Sequence, residues 1–197
     1  MRTTLLFDFG RVLVDFDFGH AFAAWARADS AETSRLQAAF VQDEEYCAHE
    51  RGEITWPQYA DHLRRRLSLK LDDSELLNGW NAIFTRPVAG IEAKIALLTP
   101  NHRLFVLSNT NAAHYDFWSS HYSDLLRPFK QLLCSHALGA RKPELAVYLR
   151  ALEAMNCDAS DVLFFDDVEV NVEGAKRAGI DSRVFRTVDD IPAPEIQ

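Results

Sequence analysis

The stretch TLLFDFGRVLVD, Thr4 to Asp15, decides how the rest of the chain is read. Leu5, Leu6 and Phe7 form a short apolar run that ends on a carboxylate, Asp8, with Gly10 two residues later. A run without alternation, bounded by polar residues, reads as a strand buried on both faces of a parallel sheet. Three more runs share this form: Arg103–Leu107, Gln131–Cys134 and Val162–Phe165. A weaker fifth is Ser182–Phe185. Helical patterns separate the later runs, over Ile91–Leu98, Ala112–Ser120, Glu144–Met155 and Val170–Ala178. Strand–helix alternation of this kind predicts an α/β fold with a doubly wound, mostly parallel sheet.

Between the first two strands the pattern changes. From about Phe18 to Arg86 no strand signal stands out. Asp29 with Glu32, Thr55 with Gln58 and Asp72 with Glu75 have the spacing of capping boxes, and Gly52 suits a helix end. A helical bundle inserted after strand one is the expectation; a thickened core domain is the alternative. The division drawn from this is a core of residues 1–16 and 88–197 and a helical cap of residues 17–87. The cap aromatics Phe22, Trp25, Phe40, Trp56, Trp80 and Phe84 read as bundle core.

The bulk numbers narrow the function. The 197 residues are 48% hydrophobic, enough for a real core. A net charge of -8 argues against general binding to nucleic acid or an anionic membrane. The three cysteines form no CxxC pair, and an odd count suits a reducing compartment. The opening MRTTLLFDF is too short in apolar residues for a signal-peptide core. The expectation is a cytoplasmic protein, monomer or homodimer.

Open α/β sheets bind ligands beyond the carboxyl ends of their strands. There the sequence offers Asp8, Gly10 and Arg11, then Ser108 and Asn109, then Arg141 and Lys142, then Asp166 and Asp167. Carboxylates on one edge can hold Mg²⁺, a hard cation that prefers oxygen. A lysine, a hydroxyl and helix N-terminal amides can hold a phosphate. A carboxylate facing the phosphorus can attack it and form an aspartyl-phosphate. Each residue also has a plainer reading: Asp8, Asp166–Asp167 and Ser108 as caps, Lys142 as a solvated lysine, Arg141 as pointing outward. His49–Thr55 reads as a turn between cap helices over the site, or as a simple surface turn.

Four segments taken together resemble the haloacid dehalogenase-like superfamily over nearly the whole chain: FDFGRVLVD, LSNTN, ARKPELAVY and FFDDVEVNVEGAKRAG. HERGEIT, VLSNTN and FFDD bring the resemblance close to the bacterial α-D-glucose-1-phosphate phosphatase group. The resemblance implies a helical cap after strand one and a Mg²⁺-dependent phosphatase acting on a small phosphorylated metabolite. It makes Asp8 the nucleophile and a metal ligand, with the Gly10 carbonyl and Asp167 as further ligands. Ser108 and Asn109 would bind phosphate and Lys142 would clamp it. Asp166 would neighbour the metal or reach it through water. Asn171 stands where many relatives have aspartate. One departure is chemical: relatives usually carry an acid–base aspartate two residues after the nucleophile, and this chain has Gly10. A glycine cannot transfer a proton, which favours substrates with good leaving groups, such as a sugar 1-phosphate. Two other functions stay open at this point. A 2-haloacid dehalogenase would use the same aspartate without metal, though the pair Asp166–Asp167 asks for a cation. A protein that binds a phosphorylated ligand for regulation would need no acid at Gly10.

Overall fold

A computed structural model describes residues 4–192. In chain order the elements are β1 (Thr4–Phe7), β2 (Val14–Phe16), α1 (Phe18–Asp29), α2 (Thr33–Ala39), α3 (Glu44–Glu50), α4 (Trp56–Leu67), α5 (Asp73–Asn81), β3 (Phe84–Pro87), α6 (Ile91–Leu98), β4 (Arg103–Ser108), α7 (Ala112–His121), α8 (Ser123–Leu126), β5 (Gln131–Cys134), α9 (Ser135–Leu138), α10 (Leu145–Met155), β6 (Val162–Asp166), α11 (Glu169–Arg177) and β7 (Asp181–Val184). Five strands form one sheet in the order β5-β4-β1-β6-β7, and every pairing in it is parallel.

The apolar run that opened the reading is the central strand, because both its faces are covered. Leu5 and Phe7 pack on one side with Leu104, Val106, Ile95, Leu98 and Trp118. Leu6 packs on the other with Phe105, Leu107, Val147, Tyr148 and Phe164. Each of these residues removes its apolar surface from water, worth about 1.5–3 kcal/mol for a large aliphatic or aromatic side chain. The Asp8 amide still donates to Phe165 O at 2.8 Å, so the ladder carries the carboxylate to the sheet edge.

Helices α1–α5 build a second core around Trp25, Trp80, Tyr59, Leu63 and Leu76. Two of the three expected capping boxes form. Gln58 accepts from the Thr55 amide at 2.8 Å, and Asp72 and Glu75 cap each other at 3.0 and 2.8 Å. The third does not. Asp29 is the last residue of α1 and accepts instead from the Lys70 amide at 3.0 Å, so a tertiary contact takes the side chain that the spacing assigned to a cap.

The stretch from about Phe18 to Arg86, expected to hold no strand, contains one. Phe84–Pro87 is a strand, antiparallel to β2, with Val14 opposite Pro87 and Phe16 opposite Phe84. Its four residues are exposed or half-buried and end in proline, so no periodicity marks it. This two-stranded ribbon joins the helical bundle to the sheet.

Candidate active site

Asp8, Ser108 and Asp166 end or follow the adjacent parallel strands β1, β4 and β6. Parallel pairing therefore brings together residues that lie up to 158 positions apart between Asp8 and Asp166 in the sequence. Lys142 arrives from the loop after α9 and is only 2% exposed. Its ammonium donates to Asp8 Oδ1 at 2.7 Å and to Asp166 Oδ2 at 2.6 Å. The solvated-lysine reading is thus set aside. Burial works against the ammonium, but the carboxylates of Asp166 and Asp8 outweigh it and hold the Lys142 pKa above its usual range.

The two carboxylates that Lys142 bridges are not equivalent. Asp166 is fully buried. Its oxygens also accept from the Asn171 amide at 3.0 and 3.2 Å and from the Val168 N–H at 2.9 Å. With both oxygens engaged, Asp166 serves as an anchor for Lys142, and Asn171 orients Asp166. Asp8 accepts the Phe9 N–H at 2.7 Å on the same Oδ1 that Lys142 holds. Its Oδ2 has no hydrogen-bond donor among the described residues. Burial, reinforced by Asp166 and Asp167, pushes the Asp8 carboxyl up to about 7 against the pull of Lys142.

Asp167 is half-buried, and its carboxyl is also raised, by burial first and then by Asp166. Oxygens of Asp8, Asp166 and Asp167 lie within 4.8 Å of one another. Three converging carboxylates are hard oxygen donors, a set that fits Mg²⁺, and Gly10, whose carbonyl was the other expected ligand, lines the same cavity. Since Asp166 is consumed by protein donors, Asp8 and Asp167 are the carboxylates left for an ion.

Ser108 is buried at the end of β4. Asn109 behaves differently from the expectation. Its side-chain Nδ2 donates to Lys142 O at 2.9 Å, and its Oδ1 accepts from Lys142 N at 2.7 Å. The side chain splints the lysine loop, so a phosphate would meet its backbone N–H rather than its amide. The N-cap of α7 is Asn111, which accepts from the His114 N–H at 3.0 Å, not Ser108.

These groups open onto a cavity of about 500 Å³ between the sheet edge and the helical bundle. Its far wall holds residues that the sequence did not single out as site residues. Glu50, at the end of α3, is 5% exposed and accepts from Arg141 Nε at 2.7 Å. The Tyr46 hydroxyl lies beside Glu50. Arg141 thus turns inward to the bundle, contrary to the outward expectation. The next residue, Arg51, reaches Glu144 at 3.3 Å, so two crossed ion pairs tie α3 to the lysine loop. His49–Thr55 does face the site, but through the helix end that carries Glu50 and not through the turn. Phe16, Phe18, Ile83, Phe84 and Trp118 supply an apolar side. His114 also lines the cavity, with Nε2 on Trp80 O at 3.0 Å and Nδ1 facing the Asn111 amide at 3.2 Å. Burial drops its pKa to about 3, so it is a neutral wall residue. The sequence carried one usable signal for the ion pairs: HERGE and ARKPE hold opposite charges in matching order.

The family model for haloacid dehalogenase-like hydrolases matches residues 3–179. A D-ribitol-5-phosphate phosphatase from Bacteroides thetaiotaomicron is 24% identical over 187 residues, which are 92% of this chain and 91% of that one. A HAD family enzyme from the same organism, crystallised as an Asp-to-Ala mutant with magnesium and inorganic phosphate, superimposes with a TM-score of 0.83. It is 21% identical and both chains are covered to 97%. An L-2-haloacid dehalogenase from Xanthobacter autotrophicus shares the fold with a TM-score of 0.70 at 23% identity, over 92% of this chain and 76% of its own. With nine-tenths of its length matched by the family model, and a parallel sheet that presents its carboxylates around one buried lysine, the chain belongs to the haloacid dehalogenase-like hydrolases.

Proposed function

We propose that the protein is a Mg²⁺-dependent phosphatase of small phosphate monoesters, with Asp8 as nucleophile and sugar or polyol phosphates as the substrate class. One observation carries this reading. Asp8 is held by Lys142 and the Phe9 N–H through Oδ1, while Oδ2 has no donor among the described residues, and Asp8 and Asp167 line the same cavity.

Phosphoryl transfer is mostly a matter of positioning and charge. Asp8 Oδ2 attacks phosphorus, the bond to the leaving oxygen breaks, and the phosphoryl group rests on Asp8 until water releases it. Lys142 neutralises charge between Asp8 and the phosphoryl oxygens, and Asp166 with Asn171 fixes its direction. The Ser108 hydroxyl and the Asn109 backbone amide lie at the end of β4, where a phosphate oxygen would rest. Mg²⁺ held by Asp8, the Gly10 carbonyl and Asp167 would draw charge from the transferring group. The Glu50–Arg141 pair forms the far wall of the cavity, where the helical bundle would shield the substrate from bulk water.

The resemblance of HERGEIT and VLSNTN supports a sugar 1-phosphate as the finer choice. The missing acid at Gly10 supports it too, since an anomeric oxygen leaves more readily than an ordinary alcohol. The named relative acts on D-ribitol 5-phosphate, which supports the wider class of polyol and sugar phosphates. The test is phosphate release from a panel of such esters with and without Mg²⁺, with Asp8→Asn as control. Activity that survives Asp8→Asn would end the reading, and halide release from 2-haloacids without Mg²⁺ would replace it.

A further inference from the structure

The proposed site has no acid at the position where its relatives keep one, and the structure accounts for that space. A Cβ on Gly10 would lie 2.7 Å from Phe16 Cε1 and 3.0 Å from Cδ1. The Phe16 ring therefore fills the volume that a carboxylate side chain would occupy. The next residue, Arg11, has a left-handed backbone with φ 58, a conformation that glycine takes freely and arginine only at a cost. Its amide donates to Val14 O at 2.7 Å, which locks the turn. Its guanidinium lies over the face of Phe16, 5.0 Å from the ring centroid, and lines the cavity with Asp8 and Asp167.

The other cations of the cavity are matched. Lys142 is held by Asp8 and Asp166, and Arg141 by Glu50. Among the described residues no carboxylate lies within ion-pair distance of Arg11, although its charge reaches Asp167 across the cavity. The rival donors are engaged elsewhere: Glu50 by Arg141, His114 by Trp80 O and Asn111. A strained backbone thus presents a cation outside any ion pair, stacked on the ring against which a side chain at Gly10 would press.

We propose that Arg11 is a catalytic residue that donates hydrogen bonds to the leaving-group oxygen, supplying charge where its relatives supply a proton. The proposal rests on the phosphatase reading. As Asp8 Oδ2 bonds to phosphorus, the oxygen departs with the electron pair of the broken P–O bond. The guanidinium keeps its protons and holds that anion. Water then protonates the oxygen and leaves hydroxide to the solvent. Such assistance matters most for oxygens that leave poorly.

The test measures kcat/KM, which reports the transfer to Asp8 and not the later hydrolysis, for 4-nitrophenyl, phenyl and ethyl phosphates. Arg11→Gly and Arg11→Lys are compared with the wild type. For Arg11→Gly the loss on ethyl phosphate is about 10²-fold, the scale of one lost oxyanion donor, and on 4-nitrophenyl phosphate it stays within about threefold. Millimolar guanidinium chloride restores part of the ethyl phosphate rate and leaves the 4-nitrophenyl rate unchanged. The Tm of Arg11→Gly is equal or higher, because glycine relieves the backbone. Arg11→Lys falls between. An Asp8-dependent wild type whose Arg11→Gly variant loses nothing, or loses the same factor on all three esters, overturns this role while the phosphatase reading stands. A wild type that is inactive on all esters, or active after Asp8→Asn, overturns both.

Discussion

Placing an aspartate at Gly10 tests whether the chain lacks a proton shuttle for want of the residue or for want of space. The Gly10 φ lies outside the left-handed region, so the backbone accepts a side chain there. The obstacle is Phe16, whose ring carbons stand 2.7 and 3.0 Å from the new Cβ. Phe16 packs edge-on to Phe18 at 6.0 Å, carries Arg11 on its face and belongs to the ribbon with β3. Displacing it is an overpacking error worth about 1–3 kcal/mol. In a chain of this size that lowers Tm by about 2–12 °C. Gly10→Asp alone is therefore expected to be less stable and to gain little activity. Phe16→Leu should absorb the clash, so the double variant regains most of that stability. With the carboxyl then free to reach the leaving oxygen, alkyl phosphates should gain about 10²–10⁴ in rate, the span of general acid catalysis. 4-Nitrophenyl phosphate should gain little. The assay is a double-mutant cycle in both Tm and kcat/KM across leaving groups. Strict additivity in Tm would refute the clash. A gain of equal size on all esters would refute the claim that proton transfer is what Gly10 denies.

Three other outcomes follow from the site. Asp166→Ala leaves the buried Lys142 with a single carboxylate, and removing one partner of such a buried pair costs about 3–5 kcal/mol in denaturant unfolding; adding Lys142→Met should recover much of it. Glu50→Gln removes the charge opposite Arg141 while keeping the shape, with an expected loss of about 1–3 kcal/mol. Its KM should rise more than its kcat falls, because the far wall of the cavity loosens while Asp8 and Lys142 stay in place. Burial holds the Asp8 carboxyl at about 7 in the metal-free protein, above its ordinary value of 3.8, so the protonated form dominates below pH 7. A metal needs the carboxylate. Mg²⁺ binding followed by calorimetry should therefore release close to one proton at pH 6, and the apparent Kd should rise by up to about tenfold per pH unit below 7. Proton release that is absent at pH 6 would place the metal elsewhere.

The sequence by itself determined the sheet and the list of chemical groups. Leu5–Phe7, Leu104–Leu107 and Val162–Phe165 are apolar without alternation, and only burial on both faces suits such runs. The polar residue that ends each run then falls at the carboxyl edge, where parallel strands with helical crossovers place their ligands. Thr55–Gln58 and Asp72–Glu75 were legible because a cap is a local interaction, closed within four residues. The tertiary structure alone decided what depends on distant partners. Asp29 has the spacing of a cap but bonds Lys70, and β3 carries no pattern because it pairs only with β2. Asn109 splints the backbone of Lys142 across 33 positions of sequence. Arg141 turns inward because Glu50 waits in the bundle, and Asp166 and Asp167, identical in sequence, part company because Lys142 and Asn171 claim one of them. Gly10 shows the division most clearly. The sequence shows that no side chain stands at Gly10, while only the packing shows the Phe16 ring against it with Arg11 laid on its face. A side chain's role follows from the partners and volume around it, and those are set only when the strands meet.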